Sequence, residues 1–486
     1  MPSLWRQTAP IAPRPPLQGD LGAEAAVIGG GLAGILTAAL LQEAGVDTVV
    51  LEADRIGSGQ TENTTAKVTS QHGMFCRRLE QSLGPDAARL YAGAGQQALE
   101  WYQQLLWDRR IECGWERLPA YLYAVEEEDA LLQEFTAQER AGLPVRLTED
   151  AGLPFPVAGA VRCENQAQFH PLRLLRALAE ELTIWEGTRV LEAEGDQLRT
   201  TGGTVRAKHI IFCCHFPFVN APGHYFLRMH QERSYVVALE GTPAVPGMYY
   251  SADSGGASLR MAEGLLLVGG GSHRTGENRE GGKYEALRRW AGLHFPGASE
   301  AGHWSAQDCM TLDGMPYMGR FSASTPQWYV ATGFGKWGMT ASMAAAHLIR
   351  DQILGQENAW AQLFSPQRFT PAASAGRLLE EGLHAARDLA RLPLTPPRAA
   401  AEALPPGHGG VVEWDGRKAG VYKDPEGRCH VVDPRCPHLG CQLEWNPDEK
   451  SWDCPCHGSR FDRYGKLLDG PAQMGLDAAR QEEKRG

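Results

Sequence analysis

The chain has 486 residues, which by the usual size of a domain predicts two or three domains. Hydrophobic residues make up 43% of the sequence and charged residues 22%, a balance typical of globular proteins that excludes a disordered or fibrous chain. The formal net charge of −11 argues against nucleic acid or an anionic membrane as the main partner, because both attract basic surfaces.

A proline-rich leader, residues 1–21, precedes the first predicted strand. It contains no apolar stretch of signal-peptide length, so we expect neither an export signal nor a membrane anchor, and a cytoplasmic protein. Of the 11 cysteines, four crowd between residues 436 and 456 with histidines interleaved, which favours a metal site over a disulfide framework.

A β-α-β unit is predicted directly after the leader, with an apolar strand, a glycine-rich turn, a helix and a second apolar strand in residues 25–52. In such a unit Gly29 allows the turn, Gly31 lets a pyrophosphate approach the helix N-terminus, and Gly34 permits contact between helix and strand. Glu52 ends the second strand at the spacing expected for a ribose-binding acid. The alternative is a glycine-rich turn that binds no ligand.

The pattern then alternates between helices and strands. Helices are predicted at residues 86–107, 127–140 and 171–182. Strands are predicted at residues 188–191, 210–213, 235–239, 248–250 and 265–268, with the last three in an antiparallel sheet. This alternation predicts an α/β cofactor domain interleaved with an α+β substrate domain.

A second strand, glycine loop and helix are predicted at residues 328–354, and the loop reads Gly-Phe-Gly-Lys-Trp-Gly from Gly333 to Gly338. Residues 365–403 are rich in proline and alanine around one charged helix at 376–391, which indicates a linker. The last stretch, residues 404–486, is rich in valine, aromatic and turn residues and is predicted to be a small all-β domain.

Two short loops of the last domain combine cysteine with histidine, reading CPHLGC from residue 436 and CPCHGS from residue 454. Two thiolates and two imidazoles can hold the two irons of a [2Fe–2S] cluster. The predicted ligands are Cys436, His438, Cys454 and His457. The remaining pair, Cys441 and Cys456, occupies matching places and could form a disulfide that clamps the loops together. The alternative is a four-ligand zinc site.

Residues 404–486 resemble the Rieske family, and Gly470-Pro471-Ala472 is similar to its proline loop. The resemblance implies that Ser459 donates a hydrogen bond to a bridging sulfide and raises the cluster potential. Phe461 stands where high-potential respiratory members carry a tyrosine. One hydrogen bond of those members is therefore missing, and we expect a lower potential than theirs.

The two glycine-rich loops, early and late, resemble those of the D-amino acid oxidase-like (glycine oxidase and sarcosine oxidase-like) flavoproteins. The resemblance covers about residues 22–355, and the domain is predicted to span residues 22–364. The resemblance implies a Rossmann-like domain that binds FAD, with the late loop and its helix N-terminus facing the isoalloxazine ring. The implied FAD contacts are Gly29, Gly31, Leu32, Ala33, Gly34, Glu52, Ala53, Ser58, Thr64, Thr65, Val190, Gly333, Gly335, Gly338, Met339 and Thr340.

The substrate site is less defined. Related amino acid oxidases carry an arginine just before an Asp-Gly-x-Pro segment, and residues 307–312 contain none. The candidate catalytic residues are His72, His273, Arg274, Lys336 and Trp337. His170 and Tyr235 are further candidates, although His170, before Pro171 at a helix start, better suits a helix cap. Cys309 is either a buried structural residue or a point of covalent FAD attachment.

Together these features predict an FAD-dependent dehydrogenase that oxidises an amine, amino acid or hydroxy acid. Electrons would pass from the flavin through the Rieske cluster to an external acceptor such as a ferredoxin, a cytochrome or a quinone-linked protein. The alternative is a non-enzymatic redox sensor or electron carrier. A ring-hydroxylating oxygenase would need two histidines and a carboxylate for a mononuclear iron, and no closely spaced histidine pair precedes the cluster motif.

Overall fold

A computed structural model describes residues 2–368, 370, 374 and 401–477. The chain divides into two compact units. The first unit contains Met1–Gly223, Ser234–Gly271 and Tyr284–Ser374. The second unit contains His224–Arg233, Ser272–Lys283 and Ala375–Gly486. The helix predicted at 376–391 lies outside the described residues.

The helices are, in chain order, α1 (Leu4–Thr8), α2 (Leu32–Glu43), α3 (Gln60–Asn63), α4 (Cys76–Leu83), α5 (Pro85–Asp108), α6 (Glu128–Arg140), α7 (Pro171–Ala179), α8 (Lys283–His294), α9 (Gly338–Leu354) and α10 (Ala361–Phe364). The three helices predicted between residues 86 and 182 are confirmed as α5, α6 and α7, and the helix after the late glycine loop as α9.

The strands of the first half are β1 (Leu21–Ile28), β2 (Thr48–Leu51), β3 (Lys67–Val68), β4 (Glu116–Ala124), β5 (Val145–Thr148), β6 (Gly159–Gln168), β7 (Thr183–Trp185), β8 (Val190–Glu194), β9 (Gln197–Thr200), β10 (Thr204–Phe212), β11 (Met229–Glu240) and β12 (Met248–Ser251). The later strands are β13 (Ser258–Ala262), β14 (Leu265–Arg274), β15 (Ser299–Thr311), β16 (Tyr317–Ser322), β17 (Thr325–Thr332), β18 (Gly409–Trp414), β19 (Arg417–Lys423), β20 (Cys429–Val432), β21 (Glu444–Asn446), β22 (Ser451–Asp453), β23 (Arg460–Asp462) and β24 (Leu467–Asp469).

A mainly parallel sheet carries the predicted β-α-β unit. Its strand order is β16-β17-β10-β1-β2-β7, with β9 on β10 and β8 on β9. Strand β1 pairs in parallel with β2 and with β10, so the carboxyl ends of these strands meet at one edge. Helices α2 and α9 pack against each other. Ligands of open α/β sheets bind at this carboxyl edge, which is where both glycine loops begin.

A second sheet has the order β15-β11-β14-β13-β12-β4-β6-β3, with β5 on β6. Strand β13 pairs antiparallel with β14, and β4 with β6, as expected of an antiparallel sheet, but β12 runs parallel to β4. Strands β11 and β14 are longer than the apolar runs that predicted them. In the added part of β11, buried residues alternate with half-buried polar ones, a pattern of period two that a search for apolar runs misses.

The second unit contains two small antiparallel sheets, β18-β19-β20 and β21-β22-β23-β24, which confirms the all-β prediction. Its core is aromatic and includes Tyr422, Trp445, Trp452 and Phe461. Two loops, one before β21 and one between β22 and β23, carry the cysteine and histidine motifs.

The proline-rich leader is packed on the first unit. Trp5 of α1 is 1% exposed, and its indole nitrogen donates to the Thr64 carbonyl at 2.6 Å. The Leu17 amide donates to the Thr188 hydroxyl at 2.9 Å. In the part of the chain that the structure describes, no helix has both the length and the apolar character needed to cross a bilayer.

Candidate functional site

The first glycine turn is closely packed. Gly29 has a φ of +111°, and a β-carbon there would lie 2.5 Å from the Cys213 carbonyl oxygen. A β-carbon on Gly34 would lie 1.9 Å from the Gly29 carbonyl oxygen. Helix α2 begins after Gly31 with no side-chain cap from that residue, but its first amide, of Leu32, donates to the Thr61 hydroxyl at 3.0 Å. The next two amides, of Ala33 and Gly34, suit a pyrophosphate. The close approaches at Gly29 and Gly34 fit the turn and the helix contact expected of them, and the pyrophosphate role of Gly31 stays a prediction.

Glu52 lies beside this turn. Its carboxylate accepts from the Gly30 amide at 2.6 Å and from the Asp54 amide at 2.7 Å. Burial raises the pKa of Glu52, although both amide hydrogen bonds oppose that shift. The Thr188 amide donates to the Glu52 carbonyl at 2.8 Å, which brings the start of β8 at Val190 close to the predicted ribose site.

The segment after Glu52 is held by a buried arginine that the sequence analysis missed. Arg260 of β13 is 3% exposed and donates to the carbonyls of Thr65 at 2.8 Å and Ala66 at 2.6 Å. Burial lowers the pKa of Arg260 to about 9. No signal in the sequence marked this arginine, because alternation in β13 places Arg260 on the same face as Ser258 and opposite Leu259, and the structure buries both faces.

The late glycine loop joins the early segment through helix α9. Gly333 and Gly335 have φ values of +71° and +54°, and the Gly335 amide donates to the Cys309 carbonyl at 2.9 Å. The Thr340 hydroxyl donates to the Thr69 carbonyl at 2.7 Å. Helix α9 has no side-chain cap at Trp337, so its first amides can face a negatively charged group.

An aromatic wall connects these two segments. The Trp337 ring stacks on the His72 ring with centroids 4.5 Å apart, and Tyr250 meets Trp337 edge-on at 4.7 Å. His72 Nδ1 lies 2.7 Å from the Tyr91 hydroxyl, and Nε2 lies 2.7 Å from the Thr69 carbonyl oxygen. Because Nε2 must donate to that carbonyl, Nδ1 accepts from Tyr91. Burial lowers the pKa of His72 to about 3, so the imidazole is neutral.

Lys67 lies at the end of this wall. It is 4% exposed, and its ammonium donates to the hydroxyls of Ser258 at 3.2 Å and Thr65 at 3.4 Å. The same ammonium is 4.5 Å from the centroid of the Tyr250 ring. Burial, with a smaller effect of Arg260, holds the pKa of Lys67 well below its usual range. Across the described residues, no carboxylate forms a salt bridge with Lys67.

The two cluster-motif loops of the second unit have the same backbone hydrogen bonds. The Cys436 amide donates to the Cys441 carbonyl and the Gly440 amide to the Cys436 carbonyl, both at 2.8 Å. In the other loop the Cys454 amide donates to the Ser459 carbonyl at 2.8 Å and the Gly458 amide to the Cys454 carbonyl at 2.9 Å. Gly440 and Gly458 both have a φ of +81°, which few other residues adopt.

The predicted ligands are paired by type. The rings of His438 and His457 lie 4.9 Å apart at 87°. The side chains of Cys436 and Cys454 adjoin each other. A disulfide joins Cys441 to Cys456, as predicted. With that pair engaged, two thiols and two imidazoles remain, a donor set that fits a [2Fe–2S] cluster of the Rieske type.

Two side chains from elsewhere in the second unit bind the 454–459 loop. Gln231 Nε2 donates to the His457 carbonyl at 2.6 Å and to the Gly470 carbonyl at 3.0 Å. Arg274 Nε donates to the Pro455 carbonyl at 3.0 Å. Arg274 was predicted at the edge of a substrate pocket, and the structure places it on this loop instead.

The other candidates have partners of their own. His273 belongs to the second unit, where its Nδ1 lies 2.7 Å from the Arg274 carbonyl oxygen. Lys336 is exposed, with its ammonium 3.5 Å from the Asp308 carboxylate. His170 caps α7 by accepting from the Arg173 amide, and Tyr235 is buried in the core with Tyr284.

The Asp-Gly-x-Pro segment has an arginine partner that comes later in the chain. Arg368 binds the Asp313 carboxylate through Nε at 2.6 Å and Nη2 at 2.7 Å, and both side chains are buried. Burial alone would raise the pKa of Asp313, but the contacts with Arg368 outweigh it and hold the pKa below its usual range. This arginine therefore supports the segment rather than presenting a free cation.

Comparison with known proteins supports the assignment of both cofactor sites. The family model described as "FAD dependent oxidoreductase" matches residues 24–352. The chain belongs to this family. A second family model, the Rieske [2Fe-2S] domain, matches residues 396–479. The protein is thus an FAD-dependent oxidoreductase with a Rieske domain, as predicted, and its two domains bind FAD and a [2Fe–2S] cluster.

A full-length relative has the same organisation. The Bacillus subtilis protein YhfW, whose name describes a Rieske 2Fe-2S iron-sulfur protein, is 36% identical over 487 residues, covering 97% of this chain and 96% of the relative.

Two solved structures share the fold of the flavin-binding region. Glycine oxidase from Geobacillus kaustophilus has a TM-score of 0.61 at 21% identity, covering 72% of this chain and 99% of the oxidase. L-amino acid deaminase from Proteus vulgaris has a TM-score of 0.60 at 16% identity, covering 74% of this chain and 100% of the deaminase. These likenesses confirm the fold class.

Proposed function

We propose that this protein is a dehydrogenase that oxidises a small carboxylate-bearing molecule, an amino acid or a hydroxy acid. Electrons from the FAD then pass through the Rieske cluster to an external acceptor such as a ferredoxin, a cytochrome or a quinone-linked protein. The observation that carries the proposal is the buried amino group of Lys67, which contacts Thr65 and the Tyr250 ring and has no carboxylate partner among the described residues.

A buried lysine without an anion favours its neutral amine, and a bound carboxylate would restore its proton and its positive charge. Lys67 follows the Thr64-Thr65-Ala66 loop, and the aromatic wall of Tyr250, Trp337 and His72 adjoins it. A carboxylate at Lys67 would place the rest of a small substrate against that wall. The ammonium would therefore supply the charge that the arginine of related amino acid oxidases provides.

Bound FAD supplies the two-electron acceptor for the oxidation. The residues of the chain orient the substrate and exclude water. Lys67 would bind the carboxylate, and Trp337 and Tyr250 would fix the plane of the substrate. His72 would hold Trp337 in place rather than accept a proton, since both of its ring nitrogens are engaged.

The names of the structural neighbours agree with an amino acid or a related acid, since one acts on glycine and another on L-amino acids. For the second half of the route, Cys436, His438, Cys454 and His457 would hold the cluster. The presence of such a cluster on the chain favours a protein acceptor over direct reaction with oxygen, because a one-electron carrier suits transfer between proteins.

The test mixes the anaerobic holoprotein with amino acids, hydroxy acids and matched amines that lack the carboxylate. We expect bleaching of the flavin absorbance with one or more of the acids, followed by the EPR signal of the reduced cluster. Lys67→Met should lose the reaction with the acids, whereas Lys208→Met, which removes an exposed lysine, should retain it.

Bleaching by the amines alone would contradict the assigned substrate class. Flavin reduction that leaves the cluster oxidised would contradict the electron route. If no small molecule bleaches the flavin while a reduced ferredoxin or an NAD(P)H reductase does, the protein is a redox sensor or electron carrier.

A further inference from the structure

The second cluster loop is bound by side chains from outside the Rieske domain. Gln231 and Arg274 belong to the second unit, yet in sequence both fall within the region matched by the oxidoreductase family model and outside the Rieske match. Phe226, from the same short segment as Gln231, has its ring centroid 5.8 Å from that of His457 and 6.4 Å from that of His438. This segment therefore lies on the imidazole side of the cluster site.

Gln231 connects two loops that border the cluster site. Its side chain is buried, and one amide group donates both to the carbonyl of the ligand residue His457 and to the carbonyl of Gly470 in the proline loop. A β-carbon on Gly458 would lie 2.6 Å from the Gln231 β-carbon. Only glycine at 458 allows this approach, so the loop and the glutamine fit each other closely.

Arg274 binds the preceding residues of the same loop. Its Nε donates to the Pro455 carbonyl at 3.0 Å and its Nη2 to the Cys456 carbonyl at 3.3 Å. A β-carbon on Gly276 would lie 2.7 Å from the Pro455 nitrogen, so this segment also packs against the loop. Three consecutive carbonyls, at residues 455, 456 and 457, thus receive donors from Arg274 and Gln231.

These donors bear on the electron affinity of the cluster. Reduction adds one negative charge, and the potential of an iron–sulfur cluster depends on nearby charge and on hydrogen bonds around its ligands. A guanidinium fixed on the ligand loop attracts that added charge in a partly buried site, where screening by water is weak. The neutral amide of Gln231 acts by fixing the backbone that carries His457.

We propose that Gln231 and Arg274 are positioning residues that bind the second ligand loop and raise the midpoint potential of the Rieske cluster. The potential of this cluster is then set partly by the oxidoreductase region of the chain and not by the Rieske domain alone. This inference depends on the cluster-binding loops and is independent of the substrate assignment.

The test measures the midpoint potential of the full-length holoprotein by a redox titration followed by EPR. Arg274→Met should shift the one-electron equilibrium at least tenfold towards the oxidised cluster, which corresponds to about 59 mV. Gln231→Leu, of similar volume but without donors, should shift it in the same direction and change the g-values of the reduced cluster. The matched control is Arg279→Met, which removes a charge from the same segment that pairs with Glu444 at 2.9 Å.

In Arg279→Met the one-electron equilibrium of the cluster should stay within about twofold of that in the unmodified protein. Arg274→Lys tests whether the charge causes the shift even if Arg274→Met fails to assemble its cluster. Because it keeps the positive charge, its equilibrium should lie at least halfway back from that of Arg274→Met to that of the unmodified protein. The proposal is overturned if Arg274→Met and Gln231→Leu both titrate within twofold of the unmodified protein at full cluster content. It is equally overturned if Arg279→Met shifts the equilibrium as far as Arg274→Met.

Discussion

The imidazole of His72 stacks on the indole of Trp337 with ring centroids 4.5 Å apart and an angle of 17° between the planes. Because its pKa is lowered to about 3 by burial, His72 does not change charge between pH 5 and 8. His72→Phe should therefore keep the pH profile of kcat/KM, whereas His72→Ala should lower kcat/KM about two- to tenfold by removing the support of Trp337. Loss of an acidic limb near pH 6.5 in His72→Phe would show that the imidazole acts as a base.

Lys67, which we propose binds the substrate carboxylate, should lower the stability of the substrate-free protein. Burial depresses its pKa, so the unfolded chain binds more protons than the folded one, and stability rises with pH from the folded pKa up to about 10.4. Lys67→Met should raise the melting temperature of the substrate-free protein at pH 7. That gain should be greatest below the folded pKa and vanish above pH 10.4. Calorimetry across this pH range tests the prediction, and a lower melting temperature at pH 7 would contradict it.

The buried pair of Asp313 and Arg368 should be important for stability. Arg368→Met leaves a buried carboxylate without its cation and should lower the free energy of unfolding by about 3–5 kcal/mol. Because the pKa of Asp313 is depressed, this stabilisation is present above the unfolded pKa of about 3.9 and is lost as the pH falls through the folded pKa. Denaturant unfolding at pH 7 measures the loss. Arg199→Met, which breaks the exposed pair with Glu192, is the control and should change little.

The disulfide between Cys441 and Cys456 should stabilise the cluster loops. The two residues are 15 positions apart, so loss of the link should cost about 3 kcal/mol through the entropy of the unfolded chain. The double variant Cys441→Ser/Cys456→Ser should lose its cluster faster on warming, as followed by visible absorbance. Cys429→Ser, outside the disulfide, should lose it at the unmodified rate.

Substitutions of two buried residues near the predicted ligands, Ser459 and Phe461, should shift the midpoint potential of the cluster in opposite directions. The Ser459 hydroxyl oxygen accepts from the Ala472 amide at 3.0 Å, which leaves its proton to donate towards the cluster. Ser459→Ala should shift the one-electron equilibrium about tenfold towards the oxidised cluster, and Phe461→Tyr should shift it the other way by adding a donor. Ser451→Ala is the control, because that hydroxyl donates to Asp453. Equal potentials for all three variants would contradict both assignments.

The sequence predicted those parts of the fold that are formed by consecutive residues. The β-α-β unit, with its glycine roles, and both cysteine loops were predicted, because spacing along the chain determines them. The contact that prevents replacement of Gly29 could not be predicted in this way, because it involves a residue distant in sequence. A β-carbon at this position would meet the carbonyl of Cys213, which follows strand β10 far along the chain.

The candidate substrate site depended on contacts that no local pattern shows. Lys67, Tyr250 and Trp337 come from three distant segments, so their convergence follows from the sheet order and not from spacing. Arg274 was predicted at a pocket edge because it follows an apolar run and three glycines. Strand β14 continues to that residue, and Arg274 lies on the cluster loop instead.

Acidic residues in and around β21 and β22 form ion pairs and hydrogen bonds with segments that precede the Rieske domain in sequence. Arg233 pairs with Glu449, Arg279 with Glu444, and Asn278 donates to Asp448, all within 2.9 Å. A fragment that begins at residue 401 would lack all three partners while keeping the carboxylates. The Rieske region of this protein is therefore a poor candidate for excision or transplantation as an autonomous electron-transfer module, although its sequence boundaries suggest one.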